Sequence, residues 1–580
     1  MNSASTNKKY ILTLRIILLI IISVLLLVCL ESWRVYDYDI WVHLKYGQHF
    51  VQNHTWSIDH SAYSWTPATR PWTYVTWIGS GAIYIIYKYL SLNAVMVLPI
   101  VNLVLILILY VLFLRSISST YNFMTLALFF TAAVFFYMPV VKPAIFSSLL
   151  FAACLAVYYS SRRNHSRAYW VYPFVFLVWV NTHGAFIFGL FAICIILATE
   201  IIIAALNKTL QARKAYLQDL GLALLLSFLV VGINPHGFGY FIGIARDIMH
   251  VDSLDPSGHI SEYANLWSKL YAMQETGAIG ISWACIFMLA AYTLLTLLNK
   301  KKGIPPDIVS VILQLAFFVM GMLYYRLFAF YCLVWLFSIT CLVTKKQLTI
   351  SSKKMTIVSF AIMSYFVVNQ LNMYYTPCLK IHPFKHDIEG FYPITATIFL
   401  KDHSLPRQLL NDYSTGGYLL WALYPDYKVF LDPRLWPYRK EILDDFFALE
   451  GVDSATELNS ILAKYPETQT IFLHMRFMRP ITLLNQMNSW KLVYFDQIAA
   501  IFVRASSSKS SLSPNFDAAR FGNIESPRYF MQLFSLYLSV KDYKNARVIR
   551  NLYYRNVKSG YLYRPGDLRF MDANLGHNKT

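Results

Sequence analysis

Charged residues are scarce in this chain, and acidic residues are the scarcer of the two signs. Asp, Glu, Lys and Arg make up 14% of the 580 residues, whereas soluble domains carry about a quarter. The formal net charge is +19, but the basic residues lie in short clusters between apolar runs. Such placement is typical of the cytoplasmic loops of membrane proteins. This composition excludes an ordinary soluble domain, and it predicts no nucleic-acid partner.

Cysteine pairs and nucleotide-binding motifs are also missing. Six of the seven cysteines fall in apolar segments, and Cys378 stands alone in a polar region. This distribution excludes a disulfide framework and a CxxC metal site. No GxGxxG or Walker pattern occurs, so nothing in the sequence supports nucleotide binding.

Apolar sequence is abundant instead, because 57% of the residues are hydrophobic and runs of about 20 residues recur. A run of this length is what a helix needs to cross the hydrocarbon core of a bilayer. The first run shows no small-residue cleavage site and is interpreted as a retained signal anchor. The sequence predicts about eleven spans, near residues 11–30, 93–114, 122–140, 144–160, 168–181, 184–206, 218–233, 278–298, 306–324, 327–343 and 355–372.

Whether the segment 72–90 crosses the membrane determines on which side of it all later loops lie. It is apolar, but Gly79, Ser80 and Gly81 interrupt it, and its tyrosines give it an interfacial character. If it lies along the membrane surface, every basic cluster falls on the side of the N-terminal lysines. We therefore predict a transmembrane domain over 1–372 with a cytoplasmic N-terminus, and an external loop over 31–92 that carries this juxtamembrane helix.

The composition changes after about residue 373, where short strand-like runs alternate with helical segments. This alternation predicts a small external α/β domain over 373–504 with a mostly parallel sheet. Residues 505–580 are expected to form a Ser-rich linker and a helical hairpin, similar to a tetratricopeptide unit. The predicted strands are 407–411, 427–432, 468–474, 490–495 and 499–504.

Asp37 and Asp39 stand two residues apart in the loop after the first apolar run, and His43 follows them. Carboxylates beside a membrane boundary can hold a divalent cation such as Mg²⁺ or Mn²⁺. Alternatively, one of them can act as a general base on an acceptor hydroxyl. On a helix, His43 would share a face with Asp39, where it could orient the acid, bind a phosphate or make a structural polar contact. A solvated pair of loop acids is the third interpretation.

Other candidate side chains stand at predicted external helix ends or loops: Lys142, His183, Asn234, His236, Glu262 and Arg326. The cations could hold a lipid phosphate, and the histidines could donate to phosphate or sugar hydroxyls. Snorkelling cations, helix caps and a solvated acid are the alternatives. In the α/β domain, Asn411-Asp412 and Asp432-x-Arg434 follow predicted strands, where open sheets place ligands. Gly416-Gly417 there could equally be turn chemistry.

These segments together resemble the bacterial GT-C glycosyltransferases, membrane enzymes that use polyprenyl-phosphate-linked sugars. The resemblance rests on the runs Asp37 to Gly47 and Asp59 to Ser64, on Lys142-Pro143, Asn181-x-His183-Gly184 and Asn234-Pro235, and on Gly416-Gly417-Tyr418 and Asp432-x-Arg434. It implies an acidic motif in the first external loop, surface helices behind it and an external soluble domain. Thr69-Arg70-Pro71-Trp72 departs from the His-Pro-Pro pattern of some protein-mannosyltransferase-like members, so the acceptor does not carry over.

The resemblance implies transfer of a sugar from a polyprenyl-phosphate donor to an envelope glycan, lipid or protein. The expected place is the outer face of a bacterial inner membrane, with the C-terminal domain in the periplasm. Asp37, Asp39 and His43 would be catalytic, and the other six candidates would bind substrate. A transporter or flippase of a lipid-linked or anionic substrate stays open, as does a non-catalytic envelope-assembly scaffold. Midplane charges and inverted repeats would mark a transporter, and the sequence shows neither clearly.

Overall fold

A computed structural model describes residues 37–68, 73–117, 123–136, 140–249, 280–344, 392–521, 527–558 and 565–576. The described residues are mostly α-helical, with one small sheet and helices at the C-terminal end. They divide into two compact units. The first, called the helical unit here, holds residues 50–57 and 73–344; the second, called the sheet unit, holds 37–49, 58–68 and 392–576.

The helices of the helical unit follow the predicted apolar runs closely. The first described helix, α1 (Asp39–Gln52), belongs mostly to the sheet unit. The helices of the helical unit are α2 (Trp77–Leu90), α3 (Leu92–Met96), α4 (Leu98–Ser116), α5 (Phe123–Phe136), α6 (Ala144–Asn164), α7 (Tyr172–Val180), α8 (Phe186–Leu206), α9 (Leu210–Val230), α10 (Gly239–Met249), α11 (Gly280–Lys301), α12 (Ile308–Leu323) and α13 (Phe328–Val343). The predicted spans 11–30 and 355–372 lie outside the described residues, as does Glu262.

Three of the described helices, α4, α6 and α8, are long and apolar enough to cross a membrane. They contain 19, 21 and 21 residues. At 1.5 Å per residue each is roughly 30 Å long, which is the thickness of the hydrocarbon core. The protein is therefore compatible with a place in a membrane.

A buried ion network joins four helices at one end of the helical unit. Glu200, fully buried in α8, pairs with Arg162 of α6 at 3.3 Å and with Arg213 of α9 at 2.7 Å. Arg162 also pairs at 2.7 Å with Asp307, which precedes α12. The hydroxyl of Tyr158 donates to Glu200 at 2.9 Å. Because each carboxylate has a cation beside it, the cost of burying its charge is offset.

The sheet unit contains four described strands in the order β1-β2-β4-β3. They are β1 (Leu409–Asn411), β2 (Thr470–His474), β3 (Trp490–Phe495) and β4 (Ala499–Arg504). Only β1 and β2 are parallel, while β4 runs antiparallel to both β2 and β3. The expectation of a mostly parallel sheet is therefore wrong.

The short connection between β3 and β4 explains the antiparallel pairing. Asp496 accepts hydrogen bonds from the backbone of Ile498 and Ala499 at 2.7 and 2.8 Å, which closes a tight turn. Parallel neighbours need a crossover of a dozen residues or more, whereas antiparallel neighbours can be joined by such a turn. The length of this connection thus fixes the direction of β3 relative to β4.

The segment predicted as a strand at 427–432 forms only isolated bridges, one of them to Ser64. The side chain of Asn411 takes part of the hydrogen bonding that a strand neighbour would provide. Its Oδ1 accepts from the backbone of Phe430, and its Nδ2 donates to the carbonyl of Leu431, both at 2.8 Å. A side-chain amide has therefore replaced part of a strand ladder here.

The helices predicted for the C-terminal part of the sheet unit are present, whereas those at Ile394–Asp402 and Pro565–Gly576 were not predicted. The four predicted at 415–424, 439–449, 454–464 and 479–488 match α15 to α18 to within two residues at each end, and the predicted hairpin is α19 and α20. The full set is α14 (Ile394–Asp402), α15 (Tyr413–Leu423), α16 (Lys440–Gly451), α17 (Ala455–Ala463), α18 (Met478–Gln486), α19 (Pro527–Ser539), α20 (Tyr543–Lys558) and α21 (Pro565–Gly576).

Replacing Glu200 with Gln should destabilise the helical unit, because Arg162 and Arg213 then lose the carboxylate that both of them contact. Removing one partner of a buried pair costs about 3–5 kcal/mol, and partial exposure of the arginines reduces this to about 2 kcal/mol. The thermal unfolding midpoint of the detergent-purified full chain measures the loss. Asp219→Asn is the matched control, because its partner Arg167 is 71% exposed. Equal effects of the two substitutions would contradict a structural role for the network.

Candidate functional site

The predicted acidic motif lies at the first turn of α1. Asp37 Oδ1 accepts the backbone N–H of Asp39 at 3.0 Å, which satisfies a donor at the helix start. Both acids are half-buried, and His43, one turn after Asp39, is buried. The helix therefore places Asp39 and His43 on one face, as predicted. The positive end of the helix dipole favours carboxylates at this position.

Two elements of the sheet unit hold the backbone of the motif. A Cβ atom at Gly417 of α15 would lie 2.6 Å from the carbonyl oxygen of Tyr38, so only glycine permits this approach. Tyr392 donates its hydroxyl to the carbonyl of Asp37 at 3.0 Å. The position of the motif thus depends on residues more than 350 positions later in the chain.

An aromatic cluster borders the two acids. Trp41 meets the rings of Tyr392, Tyr418 and Trp421 at centroid distances of 5.1, 5.0 and 6.3 Å. Tyr38 meets Tyr392 edge to face at 6.3 Å. Sequence reasoning missed Tyr392 and Trp421. The spacing of Tyr418 and Trp421, three residues apart on a helix, was the available signal for the second of these.

Arg434 holds the segment around His60, which follows the acidic motif, through hydrogen bonds. It is buried and donates to the two carboxylate oxygens of Asp432 at 2.7 and 2.6 Å. It also donates to the carbonyl of His60 and to the hydroxyl of Tyr46, which lies 2.7 Å from His60 Nδ1. Although burial lowers it, the pKa of Arg434 is raised well above its usual value by Asp432. The guanidinium therefore stays charged inside the fold.

The other acid predicted at a strand end, Asp412, is also engaged in local structure. It accepts from the backbone and hydroxyl of Thr415 at 3.0 and 2.9 Å, and from the backbone of His474 at 2.7 Å. The first of these contacts caps α15 at its N-terminus. These contacts, like those of Arg434, favour a structural interpretation over a ligand edge.

In the helical unit, three predicted site segments lie together. Asn181 Oδ1 accepts from the indole N–H of Trp77 at 2.7 Å, and its Nδ2 donates to the carbonyl of Ile233 at 2.8 Å. A Cβ atom at Gly79 would lie 2.7 Å from the Cβ of Pro143. The Lys-Pro, Asn-Thr-His-Gly and Asn-Pro-His-Gly segments are therefore neighbours, beside the start of α2.

Hydrogen bonds fix the tautomer of His183. Its Nδ1 accepts the backbone N–H of Ala185 at 3.3 Å and lies 3.0 Å from the hydroxyl of Ser147. That hydroxyl accepts from the indole N–H of Trp179 at 2.9 Å, so its own proton is available to Nδ1. With Nδ1 as an acceptor, the proton of the neutral imidazole lies on Nε2. His183 is thus arranged to donate through Nε2.

The remaining predicted residues differ in their surroundings. Lys142 is only 8% exposed, which is lower than expected for a snorkelling cation. The side-chain amide of Asn234 stabilises the turn in which it lies. Its Nδ2 donates to the carbonyl of Gly237 at 2.9 Å, and its Oδ1 accepts from the backbone N–H of His236 at 2.8 Å. Arg326 is exposed, in a short 3₁₀ helix. Their assignment as substrate-binding residues stays a prediction.

We call the neighbouring segments at Lys142, Asn181 to His183 and Asn234 the polar cluster. The polar cluster and the buried ion network around Glu200 lie at opposite ends of the same helices. Pro143 and Arg162 mark the two ends of α6, and Ala185 and Glu200 lie toward the two ends of α8. A helix of 21 residues separates its ends by about 30 Å. The helical unit therefore has one end with arginine pairs and another with histidine and lysine.

A divalent cation stays a prediction as well. Within the part of the chain that the structure describes, no three His, Cys, Asp or Glu side chains form a ligand group. Asp37 and Asp39 supply two carboxylates, and Mg²⁺ is commonly held by one or two carboxylates together with substrate phosphates. The motif therefore fits a cation that arrives with its substrate.

No protein-family model matches this chain, and no curated protein sequence matches it. The resemblance to GT-C glycosyltransferases accordingly stays a prediction that rests on the residues quoted for it.

Gly417→Ala should loosen the acidic motif, because the new methyl group displaces the carbonyl of Tyr38. Overpacking of this kind costs about 1–3 kcal/mol. Hydrogen exchange of the full chain should be faster over residues 37–49. The control is Gly451→Ala, where an added Cβ meets nothing within 4 Å. Unchanged exchange over 37–49 in the Gly417 variant would show that this close contact does not hold the motif.

Proposed function

We propose that this protein transfers a sugar from a polyprenyl-phosphate donor to a hydroxyl group of an envelope acceptor. The proposal rests on the way in which the fold holds Asp37 and Asp39. The two acids are half-buried at the start of α1, and Tyr392 and Gly417 fix the backbone between them. A carboxylate that is held in place and bordered by aromatic rings is suited to orient a hydroxyl group.

The proposed chemistry is an inverting transfer. Asp37 or Asp39 takes the proton of the acceptor hydroxyl as its oxygen attacks the anomeric carbon. The bond from that carbon to the donor phosphate oxygen breaks, and polyprenyl phosphate leaves as an anion. Positive charge beside the leaving phosphate stabilises this anion. A divalent cation, when bound by the two acids, would neutralise further phosphate charge.

The proposal includes a finer membrane arrangement than the structure describes. It has about eleven spans, a cytoplasmic N-terminus, a surface helix over 72–90 and an external sheet unit. The arginine network and the polar cluster lie at opposite ends of the helices. This separation supports the proposed sidedness, because basic residues collect on the cytoplasmic side of membrane proteins. Glu200 is paired with arginines toward the end of α8, a place that does not suggest an ion path across the midplane.

The test compares strains that lack the gene or carry one of its variants. Asp37→Asn/Asp39→Asn should remove the same surface sugar as the deletion, because an amide cannot take the acceptor proton. Mass spectrometry of surface glycans and glycolipids measures the loss. The matched control is Asp59→Asn, an exposed acid of the same loop whose capping role Asn can keep.

The protein carrying Asp37→Asn/Asp39→Asn should keep the thermal unfolding midpoint of the unchanged protein, so that a lost sugar reports on chemistry. A glycan profile equal to that of the unchanged strain would refute the catalytic role of the acids. An unaltered profile in the deletion strain would refute sugar transfer itself.

A further inference from the structure

The C-terminal tail carries a one-sided charge for which sugar transfer gives no reason. Residues 527–576 contain nine Lys and Arg residues against three Asp residues, a net charge of +6. The helix α20 alone has five basic residues and no acidic residue. About a third of the net positive charge of the chain, +6 of +19, therefore lies in less than a tenth of its length.

The helix α20 separates its apolar and basic residues onto different faces. Its fully buried residues are Ala546, Ile549 and Tyr553. Lys544, Arg547 and Arg555 are exposed. At about 100° per residue these three cations fall within a sector of about 80°, on the side away from the buried residues. We call these three residues the basic sector.

The acidic residues of the tail are engaged within the tail. Asp542 accepts from the backbone at the start of α20 at 3.0 Å. Asp567 accepts from the hydroxyl of Tyr553 at 2.8 Å, and Asp572 pairs with Arg550 at 2.9 Å. None of these contacts involves the basic sector, whose three side chains are exposed to solvent.

Exposed aromatic rings accompany the exposed cations of the tail. Tyr554 of α20 is 37% exposed and Phe570 of α21 is 47% exposed. Arg569, next to Phe570, is exposed too. Basic residues draw a protein surface to anionic lipid, and tyrosines are enriched at the membrane–water interface.

We propose that the basic sector of α20, with Tyr554 beside it, binds the phosphate headgroups of an anionic lipid surface. The sector has the opposite charge to such headgroups, and the aromatic ring suits the interfacial layer. The same chain carries helices compatible with a membrane, and linkage to them through one chain raises the effective concentration of lipid for the tail. This inference does not depend on the proposed sugar transfer.

Hydrogen exchange of the full chain in nanodiscs tests the proposal. One set of discs contains only phosphatidylcholine, and the other contains about 30 mol% phosphatidylglycerol. A second arm adds vesicles of either composition to the phosphatidylcholine discs, which detects binding to an apposed membrane. Exchange over residues 543–558 should slow several-fold with the anionic lipid in at least one arm. About 0.5 M NaCl should reverse the effect, because salt screens it.

Lys544→Gln/Arg547→Gln/Arg555→Gln should abolish this protection. Each cation near an anionic surface contributes about fivefold to binding, so three neutralisations weaken it on the order of a hundredfold. The matched control neutralises three exposed cations elsewhere in the sheet unit, Arg407, Lys428 and Lys491, and should keep the protection.

Three outcomes would overturn the proposal. The first is equal exchange over 543–558 in neutral and anionic lipid in both arms, which is also the result expected if the sector binds an acidic protein or a nucleic acid. The second is unchanged protection after neutralisation of the basic sector. The third is equal loss of protection in the control, which would reduce the effect to the overall charge of the chain.

Discussion

The buried contact between Asp432 and Arg434 supports the surroundings of the acidic motif. A guanidinium has five donors in a rigid plane, and one carboxylate two residues away cannot satisfy all of them. Of the remaining donors, one reaches the hydroxyl of Tyr438, and the others reach the carbonyl of His60 and the hydroxyl of Tyr46. Because an unsatisfied buried donor is unfavourable, the loop at residues 58–68 and Tyr46 contribute to the stability of the C-terminal part of the sheet unit. Gly417 and Tyr392 then act on a segment that is already restrained.

The two units use different contacts to specify their packing. Helices that lie in lipid gain little from hydrophobic burial against one another, so polar pairs and small residues determine how they associate. The arginine network around Glu200, the bonds of Asn181 and the close approach at Gly79 are contacts of this kind. In the sheet unit, side chains satisfy backbone groups of other segments, as where Tyr392 donates to the carbonyl of Asp37 and Asn411 donates to that of Leu431.

Local pattern predicted the elements of this protein better than their arrangement. Apolar runs and helix signals located α6 at its first residue, and the spacing of Asp39 and His43 anticipated a shared helix face. The direction of β3 depended on a three-residue turn, and the loss of the strand at 427–432 depended on one amide about twenty residues away. The support of Asp37 by Tyr392 spans 355 residues, and no local pattern reports on a pairing of that kind.

The separation of His60 from Arg434 along the chain also orders events in time. These residues are 374 positions apart, and a ribosome adds about 5–20 residues per second, so the acidic loop waits about 20–75 s for its support. The helices of the helical unit are all synthesised in that interval. A chain that stops before Arg434 therefore has these helices but lacks the late contacts of its early loop. The contacts of Arg434 with His60 and Tyr46 therefore form only after the helical unit has been synthesised.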